Sequence, residues 1–438
     1  MPEVHYTNFC QKLCNSFVGV IIGILLVPLG IYFIFVNEGN EVCTVAAYDD
    51  FQAAVVDASC QYSPTLNGKP VKISCPVITQ TQIVVDGGTG IQINTAMQLT
   101  VSVKVFQWKE IKYSESRKDT VGGGTTTVSC YCFQTEWSYV STQLNPQHLN
   151  PQVICGIRAD DPGPAGGCLG SIPNNNNIFF SGITSVTGVG RFESVAPNVG
   201  LGTSAFSSVQ FHMDETQVAK IVGLKPLPLE VPLSQALVNQ GFVKTGPAVF
   251  STVYANQPRI GDRQLEFHAL TTDVITALGK QIPQDNGVSG IIKPYISGGL
   301  IFPPCDTRST VTFRATMIST DELFGALHSE LATMTVTFRI CLFLLLFLAF
   351  YLIGNPLSVA PDIIPCIGPF FSGIAACFVG IMAFFLALSF WITATALSWL
   401  FYRPLLGLLL LLGAAATFAA ALYARGQGKS QEIRGEQL

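Results

Sequence analysis

The sequence predicts an α+β, multi-pass membrane protein with one N-terminal and three C-terminal transmembrane helices around a β-rich lumenal domain. Three observations carry this. Uncharged apolar runs occupy both ends of the 438-residue chain, while residues 37–338 between them have ordinary polarity. Charged residues make up only 12% of the whole, about half the usual share. Mean hydropathy is +0.42. That balance argues against a disordered chain and against an ordinary soluble enzyme. The net charge of −4 gives no whole-chain case for binding nucleic acid.

Taken in order, residues 1–16 are a short tail and Phe17–Val36 (FVGVIIGILLVPLGIYFIFV) is the first span. It is long enough to cross a hydrocarbon core of about 30 Å. A signal peptide has a shorter apolar core and a small-residue cleavage site; here the run continues and Asn37-Glu38-Gly39 follows. Pro28 predicts a kink, tolerable in a spanning helix. At the other end, residues 339–354 form a second span whose helix starts earlier, with Arg339 near the interface. A Pro-rich connector, 355–369, leads to a third span, 370–400. Arg403-Pro404 divides it from a fourth, 404–424, before the tail 425–438. Four spans put both termini on one side. The lysines and arginines of the tails favour a cytosolic position for them, leaving the large domain in the lumen.

Within that domain, Gln98–Trp108 alternates, with Leu99, Val101, Val103 and Val105 on one face, and Val128–Val140 is β-branched and aromatic. Together they read as a long hairpin turning near Gly122-Gly123-Gly124. Arg263–Leu270 and Thr310–Ile318 are further strands. Val42–Val56 shows no clear period. Lys225–Pro232 cannot be a central strand because proline lacks the ladder donor. Asp160–Asn177 reads as a surface loop. Ser319-Thr320-Asp321-Glu322 has the pattern of a capping box opening a helix that runs toward the second span.

The thirteen cysteines fall into three groups. Cys10 and Cys14 precede the first span, where palmitoylation and plain thiols are both open. Cys341, Cys366 and Cys377 lie in or beside spans. Cys43, Cys60, Cys75, Cys130, Cys132, Cys155, Cys168 and Cys305 lie in the domain; an even count fits up to four disulfides in an oxidising lumen, with free thiols as the alternative. Cys130-x-Cys132 does not have zinc-ribbon spacing, and no histidine lies close in sequence to complete a site.

No phosphate loop, dinucleotide fingerprint, nucleophile elbow or His-Glu-x-x-His is present. The five histidines are scattered, and no catalytic, cofactor or metal residue is expected. The spans hold almost no ionisable group, which argues against a transporter. Small residues (Gly373, Ala375, Ala376, Gly380, then Gly413–Ala416) suit helix packing within or between chains. Three classes of function follow: a non-enzymatic membrane scaffold, a channel or channel-accessory subunit, and a lumenal membrane-tethered enzyme with Cys130-x-Cys132 as its only handle.

Several stretches resemble the LUMA family, also called the transmembrane protein 43 family. They are Asn37-Glu38-Gly39 after the first span; Phe106-Gln107-Trp108-Lys109-Glu110 and Thr135-Glu136-Trp137 on the hairpin; Gly261-Asp262 before a strand; and Trp399-Leu400-Phe401-Tyr402-Arg403-Pro404 before the last span. Asn40 stands where the family usually has Arg, and the domain cysteines are peculiar to this chain. The resemblance implies a scaffold of the endoplasmic reticulum and nuclear inner membrane. It implies self-association to a homo-oligomer, contact with nuclear-envelope proteins such as emerin and lamins, and no enzymatic activity.

Overall fold

A computed structural model of the chain describes residues 3–79, 83–84, 92–93, 97–118, 124–139, 144–155, 168, 191–195, 199–202, 209–228, 233, 235–239, 241–245, 248–251, 257–284, 287–299, 305–364, 368–405, 407–409 and 412. Three of the described helices are long and apolar enough to cross a membrane: α1 (Phe9–Ala54), α2 (Thr320–Val359) and α3 (Gly368–Tyr402). The Asp160–Asn177 loop apart from Cys168, and most of the expected fourth span, 404–424, lie outside the described residues.

At 1.5 Å per residue α1 is about 69 Å long, more than twice the hydrocarbon thickness. Its second half, and the first half of α2, form a helical stalk that rises from the bundle into the domain. The sequence shows no helical period over Val42–Val56, yet the helix continues to Ala54 because Cys43, Ala47 and Phe51, each one turn apart, are buried. Phe51 packs with Leu323, Phe324 and Leu327 of α2 and with Leu278 of the domain. The α2 start has the expected capping box: Ser319 accepts from the Glu322 amide, and the Glu322 carboxylate accepts from the Ser319 amide. Within the bundle, Gly19, Gly23 and Gly30 let α1 approach α2. A Cβ on Gly23 would lie 2.6 Å from the Ala349 carbonyl oxygen. Gly373 and Gly380 of α3, by contrast, face open space.

The domain has two main sheets. The first runs in the order β1 (Glu3–Thr7), β3 (Thr125–Ser138), β2 (Gln98–Lys118), β4 (Arg263–Thr271), then Ala248–Phe250 and Val243–Thr245. Lys225–Pro228 pairs only with β4, an edge position that suits its prolines. In the second sheet, β5 (Val274–Gln284) pairs with both Pro70–Thr79 and Ser289–Lys293, and the ladder returns through Phe211–Met213 and Val199–Leu201 to Pro70–Thr79. The sheet thus closes on itself. Leu99, Val103, Leu265 and Phe267 of the first sheet share a core with Ile73, Phe211, Ile275 and Phe313 of the second.

The hairpin of β2 and β3 is longer than the sequence indicates, with Val105 opposite Ser138 at its base and Lys118 opposite Thr125 near its tip. The tip strand also pairs with Glu3–Thr7, beside the start of α1. Between tip and domain the hairpin carries Lys109, Glu110, Lys112, Glu115 and Arg117, which hydrocarbon does not accept. A bilayer around Phe17–Val36 therefore separates β1 from the tip; this strand pairing and the bilayer are mutually exclusive.

All eight domain cysteines are bonded: Cys43–Cys305, Cys60–Cys75, Cys130–Cys155 and Cys132–Cys168. Cys130 and Cys132, two apart on β3, point to the same face and share a cluster with Ile111 and Tyr113.

Candidate functional site

Two of the family-like segments, Asn37–Gly39 and Trp399–Pro404, meet Arg339 of α2 where the helices leave the apolar zone on the domain side. Glu38 of α1 sits in the middle, only 1% exposed. A carboxylate so placed needs partners on both oxygens. Arg339 of α2 donates Nε to Oε1 and Nη2 to Oε2, each at 2.6 Å. Trp399 of α3 donates its indole Nε1 to Oε2 at 2.7 Å. Both partners come from helices distant in sequence, so one side chain ties all three together.

Glu41, one turn along α1, completes the arrangement. It accepts from Arg339 Nη2 at 2.7 Å and pairs with Arg403 Nη2 at 3.0 Å. The two guanidinium carbons each lie 6.0 Å from the Trp399 ring centroid, within cation–π range. Two carboxylates thus meet two guanidiniums, and the layer is neutral. The fork geometry of arginine suits it: Arg339 serves two carboxylates at once, which a lysine ammonium would not do with the same rigidity.

The neighbouring motif residues shape the site. Gly39 lies against Tyr402, and a Cβ there would come within 2.6 Å of the Tyr402 ring. Asn37 donates to the Thr335 carbonyl at 3.5 Å. After Arg403-Pro404 the chain doubles back, with Gly407 packed on the Leu400 backbone and its amide bonded to the Arg403 carbonyl. Proline stops α3 and glycine permits the close return.

The remaining motif residues are on the hairpin and its flank, away from this layer. Trp108 and Trp137 lie on the same face of the hairpin, in different clusters. Trp137 packs on Phe106 and Phe250, with centroids 5.3 and 5.9 Å away; Trp108 joins the cluster of Tyr131, Phe133 and Ile154. Glu136 pairs with Lys109 at 3.0 Å. Glu110 Oε1 lies 2.6 Å from His148 Nδ1. The His148 ring stacks on Tyr131 at 3.7 Å, and its Nε2 contacts Asn145. Both ring nitrogens are engaged, so this Glu–His pair locks the 145–154 segment onto the hairpin. Gly261, with φ +96°, and Asp262 form a turn that exchanges two 2.8 Å backbone bonds with Phe106. Asp262 Oδ2 accepts from the Arg259 amide at 2.7 Å.

The sulfurs of Cys132, Cys155 and Cys168 lie within 4.8 Å of one another. All three are in disulfides, and a disulfide sulfur lacks the thiolate charge that binds a metal. Glu41 is the participant that sequence reading passed over. Its one signal is its position a helical turn after Glu38, facing two arginines that otherwise have too few carboxylates at the membrane edge.

Comparison with known proteins is informative at the level of family. A family model described as Transmembrane protein 43 matches residues 193–404, a stretch holding Arg339, Trp399 and Arg403. Human Transmembrane protein 43 is 23% identical over 412 residues, covering 92% of this chain and 89% of that protein. The rat protein is 23% identical over 423 residues with the same shares, and the mouse protein 22% over 413 residues. No solved structure matches the chain.

Proposed function

From the similarity of residues 193–404 to the transmembrane protein 43 family, and of most of the chain to its human member, we propose that the protein is a non-enzymatic scaffold of the endoplasmic reticulum and nuclear inner membrane. The Glu38–Arg339–Trp399 junction carries this reading. It fixes three helices to one another at the base of the stalk, so that the domain and the bundle move as one body. Its charges are spent on each other, which suits a load-holding joint better than a reaction centre.

Four disulfides in the domain support an oxidising, lumenal position. The open faces of Gly373 and Gly380 support close approach by another helix and hence self-association. Emerin- and lamin-like partners rest on the family resemblance alone. Proximity labelling of the tagged full-length protein, with imaging, tests the whole proposal. Labelled nuclear-envelope proteins, together with a cross-linked oligomer in native membranes, are the expected result. A protein that is monomeric on cross-linking and concentrated at another membrane would sink it.

One observation favours the channel reading as second choice. Among the described residues, Trp391 Nε1, Thr395 Oγ1 and Ser398 Oγ of α3 are buried without a hydrogen-bond partner, and they share one helix face. An ion-flux assay in liposomes decides it. Flux above background that Ser398→Ala abolishes would displace the scaffold reading.

A further inference from the structure

We propose that the outer groove between α1 and α2 is a binding site for a membrane sterol. The groove encloses about 470 Å³, a size typical of small-molecule sites. No residue of α3 lines it, so it opens on the side of the helix pair turned away from the charged junction.

Its chemistry is graded along the helices. All three polar lining residues, Asn37, Asn40 and Thr335, are at the end nearest the domain, beside Leu331 and Met334 and at the height of Glu38. Phe33, Phe338 and Leu345 line the membrane-facing remainder. Phe33 and Phe338 are 43% and 53% exposed, so nothing within the described residues covers them. In a bilayer such a groove fills with an amphiphile whose polar head lies at the interface.

The lining identifies the class of head. No acidic or basic side chain borders the groove, and the four charges at the same height pair with one another toward α3. A phosphate head would find no counter-charge, whereas a single hydroxyl finds the amide of Asn40, which both donates and accepts. A groove of about 470 Å³ has room for one compact body rather than for the two acyl chains of a phospholipid. The walls are held by the junction next to them, and a rigid ligand in a preformed groove loses little conformational entropy on binding. A neutral, single-hydroxyl, rigid amphiphile is a sterol.

The test uses the full-length protein in native membranes with a photoreactive cholesterol analogue carrying an alkyne. Adducts should map to Phe33–Asn40 and Leu331–Leu345 and be competed by excess cholesterol. Met334→Trp, which fills the groove, and Asn40→Leu, which removes the polar end, should each lower labelling about tenfold, equivalent to about 1.4 kcal/mol of binding. Ile374→Trp on the lipid face of α3 should leave labelling unchanged and serves as the folding control. Cys341, an unpaired thiol in the groove wall, should react more slowly with a membrane-permeant maleimide when cholesterol is added. Adducts spread over α3, labelling that excess cholesterol does not compete, or equal labelling by a photoreactive diacylglycerol would each overturn the proposal. So would a Cys341–Cys341 cross-linked dimer whose yield ignores cholesterol, because a second copy would then fill the groove.

Discussion

The two ends of the helix bundle are pinned by ionic contacts of different design. On the domain side, five charged or aromatic groups from three helices interlock, with contacts of 2.6–3.0 Å around a carboxylate that is 1% exposed. At the opposite end, Lys12 of α1 faces Asp362, just beyond α2, at 3.6 Å. Both carboxylates are buried, Asp362 at 5% exposure, so the two ends differ in geometry: short bidentate contacts fix an orientation, whereas a single longer contact only holds two groups near each other. The difference teaches where rigidity is needed. The domain end must transmit the orientation of the stalk to the bilayer. The other end need only keep the helix ends together.

The sharpest way to break this contrast is Glu38→Leu. It leaves the Arg339 guanidinium with only its Nη2–Glu41 contact and the Trp399 indole without its acceptor, and truncating one partner of a buried pair costs about 3–5 kcal/mol. Thermal unfolding of the detergent-solubilised protein should show it, and Lys12→Ala measured alongside should cost less, because it removes one 3.6 Å contact and not three contacts of 2.6–2.7 Å. Equal losses at the two ends would erase the distinction. Gly39→Ala comes next. The new methyl meets the Tyr402 ring, and overpacking of this kind costs about 1–3 kcal/mol; the same assay reads it, and Gly39→Ala combined with Tyr402→Ala should recover part of the loss.

Arg403→Leu should be milder, at about 1 kcal/mol, because Glu41 keeps its contact with Arg339. A loss as large as that of Glu38→Leu would mean that Arg403, not Glu38, is the centre of the junction. The smallest effect concerns the far end of the stalk. The Thr320 hydroxyl, with Lys72 beside it, holds the Asp57 carboxyl below the ordinary carboxylate range. A depressed folded-state pKa contributes stability above the unfolded value of about 3.9, lost as pH falls through the folded value. Stability of the wild type should therefore fall slightly more steeply below about pH 4 than that of Asp57→Asn; parallel curves would remove Asp57 from the account.

Much of this architecture is legible in the sequence because it follows from one-dimensional patterns. Uncharged length marks the helices, alternation marks β2 and β4, and Ser319 with Glu322 marks the start of α2. What is not legible depends on partners far apart in the chain. Val42–Val56 looks aperiodic because apolar and polar residues mix outside one narrow stripe: Cys43 bonds Cys305, Ala47 meets Gly298, and Phe51 packs between α2 and the domain. The closure of the second sheet through β5 joins strands more than two hundred residues apart. The pairing of eight cysteines has no signature in spacing. At the junction, Glu38, Trp399 and Arg403 stand out as motif residues, yet their meeting place depends on Arg339 and Glu41, which read singly as ordinary interfacial charges.

The account stands or falls on α1 crossing the bilayer between the N-terminal tail and the domain, with the charged junction on the domain side. The β1–β3 pairing makes this a direct question, since it needs Glu3–Thr7 and the hairpin tip on one side. An Asn-x-Thr sequon placed in the Gly122–Gly124 tip, and in a separate variant within the N-terminal tail on an added spacer, reads both positions in the full-length protein. A tip carrying an endoglycosidase-H-sensitive glycan, with an unmodified tail, is the predicted result. A modified tail, or an unmodified tip, would contradict it.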